Sequence, residues 1–506
     1  MKLNKANLIK FDQPSNITVP PLDIFELPEK VLQFGTGVLL RGLPDYFIDK
    51  ANRQGIFNGR IVVVKSTSKG GISEFDQQNC LYTICVRGIA NQEKIEENII
   101  SSSISRVLDA SREWDKILEF ASTPDLEVII SNTTEIGIKL VEDQITECPP
   151  ISFPGKLLAV LHRRYERFAG DKTKGLVILP TELIPDNGRK LKEIVVELAR
   201  QNELDQDFIN WLTDSNHFCN TLVDRIVPGK PLRALESQSA PAVLYEDELT
   251  IVAEVYKLWA IEGDEHVKNV LSFASADPGI IISPDIEIYR ELKLRLLNGT
   301  HTLSCGLAFL AGIKTVKDAM DNVAVSFFIS NLMLKEISGA IPYPVPAEKA
   351  IEFSNDVIDR FRNPHIEHYW QTICTNYTAK VSMRVLPVLK RYYELFGQAP
   401  HRIAFGFAAY ILFMRVTLFE HGSYYGELNG DKYLIDDDKA PLFFKYWQNK
   451  QIKNLVTELF TDQDIWQTEL SQFPGFAEAV IIYLEDIMKN GVLEALGRLD
   501  TKELPA

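Results

Sequence analysis

The order of apolar and polar residues divides the chain into two halves of different character. In the first half, short apolar runs have the length and composition of strands buried in a parallel sheet. The predicted strands are Val31–Phe34, Arg60–Lys65, Asp125–Ser131 and Gly175–Pro180. The stretch Glu246–Ile261 alternates between apolar and polar residues over part of its length and predicts one more strand, which would close this half.

The second half has apolar residues at helical spacing, with glycine and proline between the periodic segments. The predicted helices are Val316–Ile337, Glu348–Arg362, Thr378–Phe396, Arg402–Phe419 and Asn454–Phe460. We place the boundary between the halves near Ser283-Pro284-Asp285. The predicted fold class is α/β plus all-α: a Rossmann-type dinucleotide-binding domain over residues 1–284, followed by a mostly helical substrate and catalytic domain over residues 285–506.

A glycine-containing turn follows the first predicted strand and precedes a predicted helix. Such a strand, turn and helix can hold a pyrophosphate, because glycine lets the backbone approach the anion closely. Leu40 replaces the third glycine of the G-x-G-x-x-G pattern, so a strand-to-helix turn without a ligand is the alternative. The predicted cofactor-binding residues here are Phe34, Gly35, Thr36, Gly37, Val38, Leu39 and Arg41.

Polar residues follow two further strands. Lys65-Ser66-Thr67-Ser68-Lys69 contains no acid to bind the ribose hydroxyls of NAD, which leaves both NAD and NADP open. Asn132-Thr133-Thr134-Glu135 stands where a doubly wound sheet binds its ligand, although a strand-terminating turn explains it nearly as well. We predict Ser66, Asn132 and Thr133 as cofactor-binding residues.

One predicted helix, within Glu291–Gly312, carries an amine, a carboxamide and an imidazole on Lys293, Asn298 and His301. At 100° per residue, Asn298 lies about 140° and His301 about 80° round from Lys293, so the three fit one broad face. A lysine desolvated by apolar neighbours loses basicity and can transfer protons. The carboxamide can stabilise a developing oxyanion and the imidazole can orient a hydroxyl. We predict these residues as catalytic; a solvated helix face is the alternative.

The net charge of −15 argues against a nucleic-acid or anionic-membrane partner. An anionic small substrate would need a local cluster of basic residues. Arg360, Lys380 and Arg384 are candidates, with basic residues that balance an acidic surface as the alternative. Asp224 and Arg225 lie inside an otherwise apolar run. They are either a structural ion pair or part of the active site. The predicted substrate-binding residues are Asp224, Arg360, Lys380 and Arg384.

The sequence gives little support for a metal or an export signal. His365 and His368 are three residues apart, but no further ligand is evident near them, so we predict no metal. The six cysteines have neither zinc-like nor secreted disulfide spacing and are predicted to be reduced and mostly buried. The N-terminus lacks the apolar core of a signal peptide, and the apolar run Ile403–Met414 is too short for a bilayer. We expect a cytoplasmic protein of unknown oligomeric state.

Taken together, the motifs FGTGVLLRG, SNTTE, VDRIV, KLRLLNGTHT and RFRNP resemble the long-chain mannitol dehydrogenase family of metal-independent polyol and sugar-acid dehydrogenases. The resemblance runs from about Lys30 to the C-terminal helices. It implies a Rossmann domain, a helical domain and a substrate cleft between them. It also implies NAD(H), with Lys293 as acid/base, Asn298 as oxyanion donor and His301 as the group that orients the substrate.

The chain departs from the mannitol-specific pattern of that family at one position. Leu183 stands where such members have a second oxyanion-donating asparagine, so either Asn298 serves alone or Asn187 or a neighbour substitutes. This pattern favours a sugar acid, and the resemblance implies reduction of a ketouronate with NADH. The alternatives are a polyol or polyol-phosphate dehydrogenase of the same family and a nucleotide-binding protein without catalysis.

Overall fold

A computed structural model of the chain describes residues 1–8, 17–66, 71–133, 137–230, 245–448 and 451–501. Thr67, Ser68, Lys69, Thr134 and Glu135, which the sequence placed beside the cofactor, lie outside these residues. The chain forms two compact units. The first comprises Met1–Gly88 and Lys94–Ile286, and the second comprises Ile89–Glu93 and Glu287–Ala506.

Sixteen strands in four sheets occur in the described part of the chain. In chain order they are β1 Ile17–Thr18, β2 Glu29–Phe34, β3 Arg60–Lys65, β4 Tyr82–Ala90, β5 Glu93–Ser101, β6 Ile104–Asp109, β7 Val128–Ser131, β8 Val177–Pro180, β9 His217–Phe218, β10 Thr221–Asp224, β11 Ile251–Glu254, β12 Leu258–Glu262, β13 Ile280–Ser283, β14 Leu418–Glu420, β15 Ser423–Leu428 and β16 Asp431–Leu434.

The largest sheet has six strands in the order β6-β3-β2-β7-β8-β9, and its neighbours pair in parallel. Numbered along the chain, this is the 3-2-1-4-5-6 order of a Rossmann sheet, in which the topological switch point lies beside the first strand. The first strand here is β2, which leads into the glycine turn. The predicted Rossmann-type domain is therefore confirmed.

The central strands of this sheet have continuous apolar runs because both faces of the sheet are covered. On β3, Ile61 and Val63 belong to one core cluster, whereas Val62 and Val64 belong to the cluster on the other face. All six residues of β3 are buried. A strand with only one covered face would alternate with polar residues instead, so the continuous apolar runs in the sequence correctly predicted these strands.

The helix predicted after the glycine turn is broken into two. It ends at Gly42, Leu43 has φ −130° and ψ −77°, and a second helix begins at Pro44. Proline lacks an amide hydrogen and disfavours helical backbone at the preceding residue, so the break follows from Pro44. Within the described residues, the α-helices of the first unit are Lys5–Leu8, Val38–Gly42, Pro44–Arg53, Ser73–Gln77, Ala110–Ala121, Phe153–Arg167, Asn187–Gln201, Gln206–Ser215 and Glu265–Val270.

The single strand predicted over Glu246–Ile261 is wrong. The segment contains β11 and β12, which lie in different sheets, with orders β1-β5-β4-β11 and β10-β12-β13. Val255, Tyr256 and Lys257 separate the two strands and are half-buried. The alternating pattern continues across this break, so the pattern alone does not reveal that the chain changes sheets. Strand β13 also follows, so this segment does not close the first unit.

The second unit is mainly helical, as predicted. Its α-helices are Glu287–Leu292, Thr300–Leu310, Val316–Asp321, Val323–Asn331, Ala347–Phe361, Trp370–Ile373, Tyr377–Lys380, Leu386–Phe396, His401–Phe413, Ala440–Tyr446, Ile452–Thr461, Gln463–Trp466, Phe476–Asn490 and Val492–Thr501. Within the described residues, three stretches have π-helical hydrogen bonding: a first π segment Lys293–Gly299, a second π segment Leu332–Ile337 and a third π segment Val381–Val385.

Two helices predicted in this unit are interrupted. The helix over Val316–Ile337 breaks at Asn322, whose side chain accepts a hydrogen bond from the Val325 amide and so caps a new helix. The helix predicted to reach Phe419 ends at Phe413, and β14 begins a small antiparallel sheet five residues later at Leu418. A capping side chain and a β-branched segment, Val416-Thr417, mark these two ends.

Two other features concern burial. All six cysteines are unpaired thiols and five are buried, which confirms the prediction of mostly buried thiols.

One helical stretch of the described chain, Val323–Ala340, is long and apolar enough to cross a membrane by those criteria alone. The same composition is found in core helices of soluble proteins, so this stretch is weak evidence for a membrane span.

Beneath the glycine turn lies a buried carboxyl group, on Asp45. Gln33 Nε2 donates to Asp45 Oδ2 at 3.4 Å and to the Gly35 carbonyl at 3.4 Å, and Tyr82 Oη donates to Asp45 Oδ2 at 3.5 Å. Asp45 Oδ1 has no hydrogen-bond partner among the residues described. Burial raises the pKa of Asp45 to about 8, so the group is protonated at neutral pH.

We expect the stability of the fold to depend on Asp45 with a defined sign. An unfolded aspartate loses its proton near pH 4, whereas folded Asp45 keeps it to about pH 8, so stability falls as the pH rises between these values. Asp45→Asn should remove this loss. Its stability relative to wild type should increase by about 1.4 kcal/mol per pH unit over that window, measured by urea unfolding at pH 5, 6.5 and 8.

Asp49→Asn on the same helix is the matched control. Asp49 is an ion-pair partner of Arg53 at 2.6 Å and accepts from the Ser102 amide at 2.7 Å, so its loss should destabilise the protein. Equal slopes of stability against pH for Asp45→Asn and wild type would show that Asp45 is ionised in the folded protein.

Candidate active site

The glycine turn at the end of β2 is fixed by close packing. Gly35 has φ +129°, a conformation that favours glycine. A Cβ atom at Gly35 would lie 2.9 Å from Leu40 Cδ1 and 3.1 Å from the Asn132 carbonyl oxygen. Its amide donates to the Val64 carbonyl at 3.0 Å. The turn is therefore held against both neighbouring strands of the sheet.

Gly37 has the opposite environment. It is exposed, and a Cβ atom there would meet no other atom of the described chain within 4 Å. No side chain caps the helix that begins at Val38, which is only five residues long. A helix this short has a small dipole, so the open backbone at Gly37, rather than the helix, fits the approach of a dinucleotide. Thr36, Val38 and Leu39 are half-buried beside it.

A buried carboxylate organises the neighbouring strand ends. Glu182, which is 3% exposed, accepts from the Thr133 amide at 2.8 Å, from Thr133 Oγ1 at 3.0 Å and from Ser131 Oγ at 3.2 Å. Asn132 Nδ2 donates to Thr181 Oγ1 at 3.0 Å. The sequence analysis missed Glu182; its signal was an acid two residues beyond a buried strand, the same position by which Thr133 was selected.

The remaining predicted cofactor residues differ in their surroundings. Ser66 is exposed at the end of β3. The preceding Lys65 is buried and pairs with Asp109 at 3.6 Å, so an acid does lie at this edge of the sheet, on β6. Arg41 is buried and its Nη1 donates to the Leu249 carbonyl at 2.6 Å. The structure therefore does not bring the Arg41 guanidinium to the open side of the turn.

Asn187 is not available as a second oxyanion donor. Its Nδ2 donates to the carbonyls of Pro180, Glu182 and Thr221 at 2.9, 3.1 and 3.1 Å, and its Oδ1 accepts from the Thr221 amide. The side chain is 1% exposed. Asn187 therefore fixes the loop after β8, while Leu183 in that loop is 59% exposed.

The first π segment changes the geometry predicted for the catalytic residues. An α-helix would place Asn298 well round the helix from Lys293, whereas π hydrogen bonding joins residue i to residue i+5. Five residues separate Lys293 from Asn298, so Asn298 lies about one wide turn further along and is less rotated from Lys293 than in an α-helix. Both residues are half-buried. The π segment thus brings the amine and the carboxamide closer in direction than the sequence analysis assumed.

His301 follows on the next α-helix, in an aromatic surround. Its ring stacks on Phe361 with 4.3 Å between centroids, and the edges of His368 and Trp370 meet it at 5.0 and 5.9 Å. Burial, together with the charge of Arg360, lowers the pKa of His368, so that ring is neutral near pH 7. The imidazole of His301 is held in one orientation by packing, as a group that orients a substrate must be.

Two predicted basic residues lie next to this helix. Arg384 Nη1 donates to Thr302 Oγ1 at 3.2 Å, and Arg384 Nε is buried with no hydrogen-bond partner among the residues described. Lys380, one helical turn earlier, donates to the Ile373 carbonyl at 2.8 Å. Burial and then the charge of Arg384 lower the pKa of Lys380. The pair forms a local positive site within an acidic chain.

The other predicted substrate residues are more enclosed. Arg360 is 8% exposed and lies near Asp356, whose pKa is raised to about 6, mainly by burial. Asp224 is buried at the end of β10 in the first unit. Its neighbour Arg225 donates to the carbonyls of Glu254 and Gly42 at 2.9 and 2.6 Å, so Arg225 has a structural role.

Among the described residues, no group of three or more His, Cys, Asp and Glu side chains is placed to hold a metal ion. His365 and His368 therefore do not belong to such a group.

A Rossmann sheet with an open glycine turn, followed by a helical unit with a lysine and an asparagine on one π turn, defines a two-domain dehydrogenase that uses a nicotinamide dinucleotide. The Mannitol dehydrogenase Rossmann domain matches residues 29–274, and the Mannitol dehydrogenase C-terminal domain matches residues 285–488. The chain belongs to the mannitol dehydrogenase family, which confirms the resemblance inferred from its motifs.

Individual relatives match over most of their length. The altronate oxidoreductase of Bacillus subtilis (strain 168) is 38% identical over 476 residues, which cover 93% of this chain and 95% of that protein. The altronate oxidoreductase of Klebsiella pneumoniae (strain 342) is 35% identical over 483 residues, which cover 93% of this chain and 97% of that protein.

Two solved structures share the fold at lower identity. Pseudomonas fluorescens mannitol 2-dehydrogenase in ternary complex with NAD and D-mannitol has a TM-score of 0.66 at 22% identity, over 99% of this chain and 100% of that one. Substrate-free D-sorbitol dehydrogenase has a TM-score of 0.78 at 20% identity, over 98% and 100%. At these identities the similarity establishes the fold.

The two glycines of the turn should respond differently to the same substitution. Gly35→Ala forces a side chain into left-handed backbone and against Leu40, so it should cost about 1–3 kcal/mol of stability and weaken dinucleotide binding. Gly37→Ala should leave the melting temperature unchanged but weaken binding, because its methyl group would project where the ligand approaches. Thermal unfolding and NADH fluorescence titration measure the two effects. Unchanged NADH affinity in Gly37→Ala would place the dinucleotide elsewhere.

Proposed function

We propose that this protein reduces the ketone of tagaturonate, a 5-keto hexuronate, to altronate with NADH and without a metal. The observation that carries the proposal is the π turn that sets Lys293 and Asn298 on one side of a helix, with His301 held by aromatic rings after it. The relatives named altronate oxidoreductase, which cover nearly the whole chain, support this choice of substrate.

In the proposed reaction, a nicotinamide dinucleotide held at the glycine turn of Gly35 and Gly37 would supply the hydride for the ketone carbon. The Lys293 ammonium donates a proton to the ketone oxygen and becomes a neutral amine, and in the reverse direction that amine accepts the proton from the hydroxyl. The Asn298 amide donates a hydrogen bond to the same oxygen as negative charge develops on it. The His301 imidazole, fixed between aromatic rings, orients a neighbouring substrate hydroxyl. Both ends of the Asn187 amide are already bonded, which supports Asn298 as the carboxamide for this role.

The substrate carboxylate is proposed to bind at Lys380 and Arg384. A guanidinium presents several donors in one plane, which suits a carboxylate. The buried, unpartnered Nε of Arg384 would gain an acceptor there, and an anion would offset the mutual repulsion of the two cations. A neutral ketose would leave this donor unsatisfied. The site therefore favours a sugar acid over a polyol.

NAD rather than NADP is proposed as the cofactor. A 2′-phosphate needs a cation at the end of β3, and the cation that the structure describes there, Lys65, is buried and paired with Asp109. Hydrogen bonds from Ser111 lower the pKa of Asp109, so this carboxylate stays charged and would repel a phosphate.

A substrate panel tests the assignment. Purified protein is assayed with tagaturonate, fructuronate and fructose, each with NADH and with NADPH, and with mannitol 1-phosphate and NAD. We expect kcat/KM for tagaturonate with NADH to exceed that for fructose by about 10- to 100-fold, the value of a charge-assisted hydrogen bond to a carboxylate. Tagaturonate reduced no faster than fructose would reject the proposal, and preference for another panel member would identify the alternative dehydrogenase.

The variant Arg384→Met tests whether Arg384 binds the substrate carboxylate, because loss of the cation should affect a charged substrate more than a neutral one. It should raise KM for tagaturonate by about tenfold or more, whereas kcat/KM for fructose changes much less. Because Arg384 also bonds Thr302, fructose is the internal control for structural damage. Equal losses for both substrates would show that Arg384 supports the fold without binding the carboxylate.

Lys293→Ala tests the acid/base role. We expect kcat to fall by about 10²–10⁴-fold, the usual contribution of general acid/base catalysis, with unchanged NADH affinity. Lys335→Ala is the matched control: this lysine is exposed in the second π segment, and its loss should leave kcat unaffected. A fully active Lys293→Ala protein would remove the amine from the mechanism, and a wild type that binds NADH without turnover would indicate a nucleotide-binding protein.

A further inference from the structure

The guanidinium of Arg295 joins two of the π segments. Its Nη1 donates to the Met383 carbonyl at 2.6 Å and to the Arg384 carbonyl at 3.2 Å, both in the third π segment. Its Nε and Nη2 donate to the two carboxylate oxygens of Glu291 at 2.9 and 3.0 Å. The two side chains are 8% and 10% exposed. The buried, bidentate ion pair with Glu291 therefore holds the Arg295 guanidinium in place while it donates to two backbone carbonyls of another helix.

The Met383 carbonyl is available to Arg295 for a reason visible in the sequence. In α-helical register its donor would be the amide of residue 387, but Pro387 has no amide hydrogen. Another group can supply a donor to a carbonyl that lacks its α-helical one. Arg295 does so from the first π segment, two residues after Lys293.

The contacts return to the catalytic segment by a second route. Arg384, whose carbonyl accepts from Arg295, donates from its own Nη1 to Thr302 Oγ1 at 3.2 Å. Thr302 Oγ1 in turn donates to the Asn298 carbonyl at 2.8 Å. The bonds thus form a closed loop from the first π segment to the third and back to Asn298.

We propose that Glu291 and Arg295 are positioning residues, which hold the π turn of Lys293 and Asn298 in register with the segment that carries Lys380 and Arg384; this inference rests on the proposed function. A buried ion pair is commonly no more stabilising than well-packed apolar side chains of the same size, so stability alone does not account for this one. Catalysis is more demanding, because misplacing reacting groups by about 1 Å costs about 10²-fold in rate.

The test is the double variant Glu291→Leu with Arg295→Met, which removes both charges and leaves neither unpaired. We expect kcat to fall by about 10²-fold, while KM for the keto substrate and Kd for NADH stay within about threefold of wild type. Hydrogen–deuterium exchange should become faster in peptides covering residues 287–310 and 377–396. Arg295→Lys keeps the charge for Glu291 but cannot reach both carbonyls and the carboxylate, so its kcat should lie between those of the double variant and wild type.

Glu336→Gln is the control for damage to a buried ion pair in the same unit. Glu336 accepts from the amides of Arg402 and Ile403, both at 2.8 Å, and lies 4.0 Å from the Arg402 guanidinium. It should lower the melting temperature, with kcat per folded molecule within about twofold of wild type. This separates loss of stability from loss of position.

Kinetic ratios are taken on whichever keto substrate wild type reduces fastest, so a wrong substrate assignment does not affect them. A folded double variant with kcat within threefold of wild type and unchanged exchange in both peptides overturns the proposal. A double variant that loses only melting temperature does so as well. If wild type reduces no member of the panel, the proposed function fails, and exchange in the two peptides still decides whether the pair holds the segments.

Discussion

A helix carbonyl that loses its donor has to find another, and this requirement shapes the second unit. Pro387 cannot serve as the α-helical donor of the Met383 carbonyl, and Arg295 donates to that carbonyl from another helix. Because Arg295 is held at its other side by Glu291, the replacement fixes two π segments relative to one another. The lysine and the asparagine proposed for catalysis lie on one of them. A missing backbone hydrogen in one helix is thereby tied to the placement of side chains in another.

The first unit solves a comparable problem at its strand ends. Where strands of a parallel sheet stop, their last backbone groups need partners, and Glu182 supplies acceptors for the amide and hydroxyl of Thr133. Gly35 meets the same edge without a side chain because Leu40 and the Asn132 carbonyl occupy the space. The open side of the turn at Gly37 is what remains. Tight packing on one side thus leaves backbone exposed on the other, as a dinucleotide site requires.

The sequence predicted the parts of the fold that depend on local pattern. Continuous apolar runs correctly indicated β2, β3, β7 and β8, since strands covered on both faces need them. The helix break at Leu43 follows from Pro44, a signal that is present in the sequence. The change of sheet between β11 and β12 is not visible in the alternation of apolar and polar residues, because both strands are largely buried. Non-local pairing of that kind is decided by tertiary packing.

The candidate site shows the same limit more sharply, and buried cations show why. Arg164 and Arg295 are both buried arginines beside apolar residues, and composition does not distinguish them from Arg384. The structure distinguishes them by their hydrogen bonds. The Arg164 guanidinium donates to the backbone carbonyls of Lys174, Ala121, Thr123 and Leu126. Arg384 keeps a buried Nε without an acceptor among the described residues. A cation whose donors are all bonded to backbone has none to offer a substrate, whereas an unsatisfied buried donor is costly unless a ligand supplies the acceptor. Hydrogen-bond accounting of this kind, which needs coordinates, therefore excludes Arg164 as an anion-binding residue. Arg41 and Arg225 also keep one buried donor each without a partner among the described residues, so Arg384 is distinguished from them by its place beside Lys380 and Thr302.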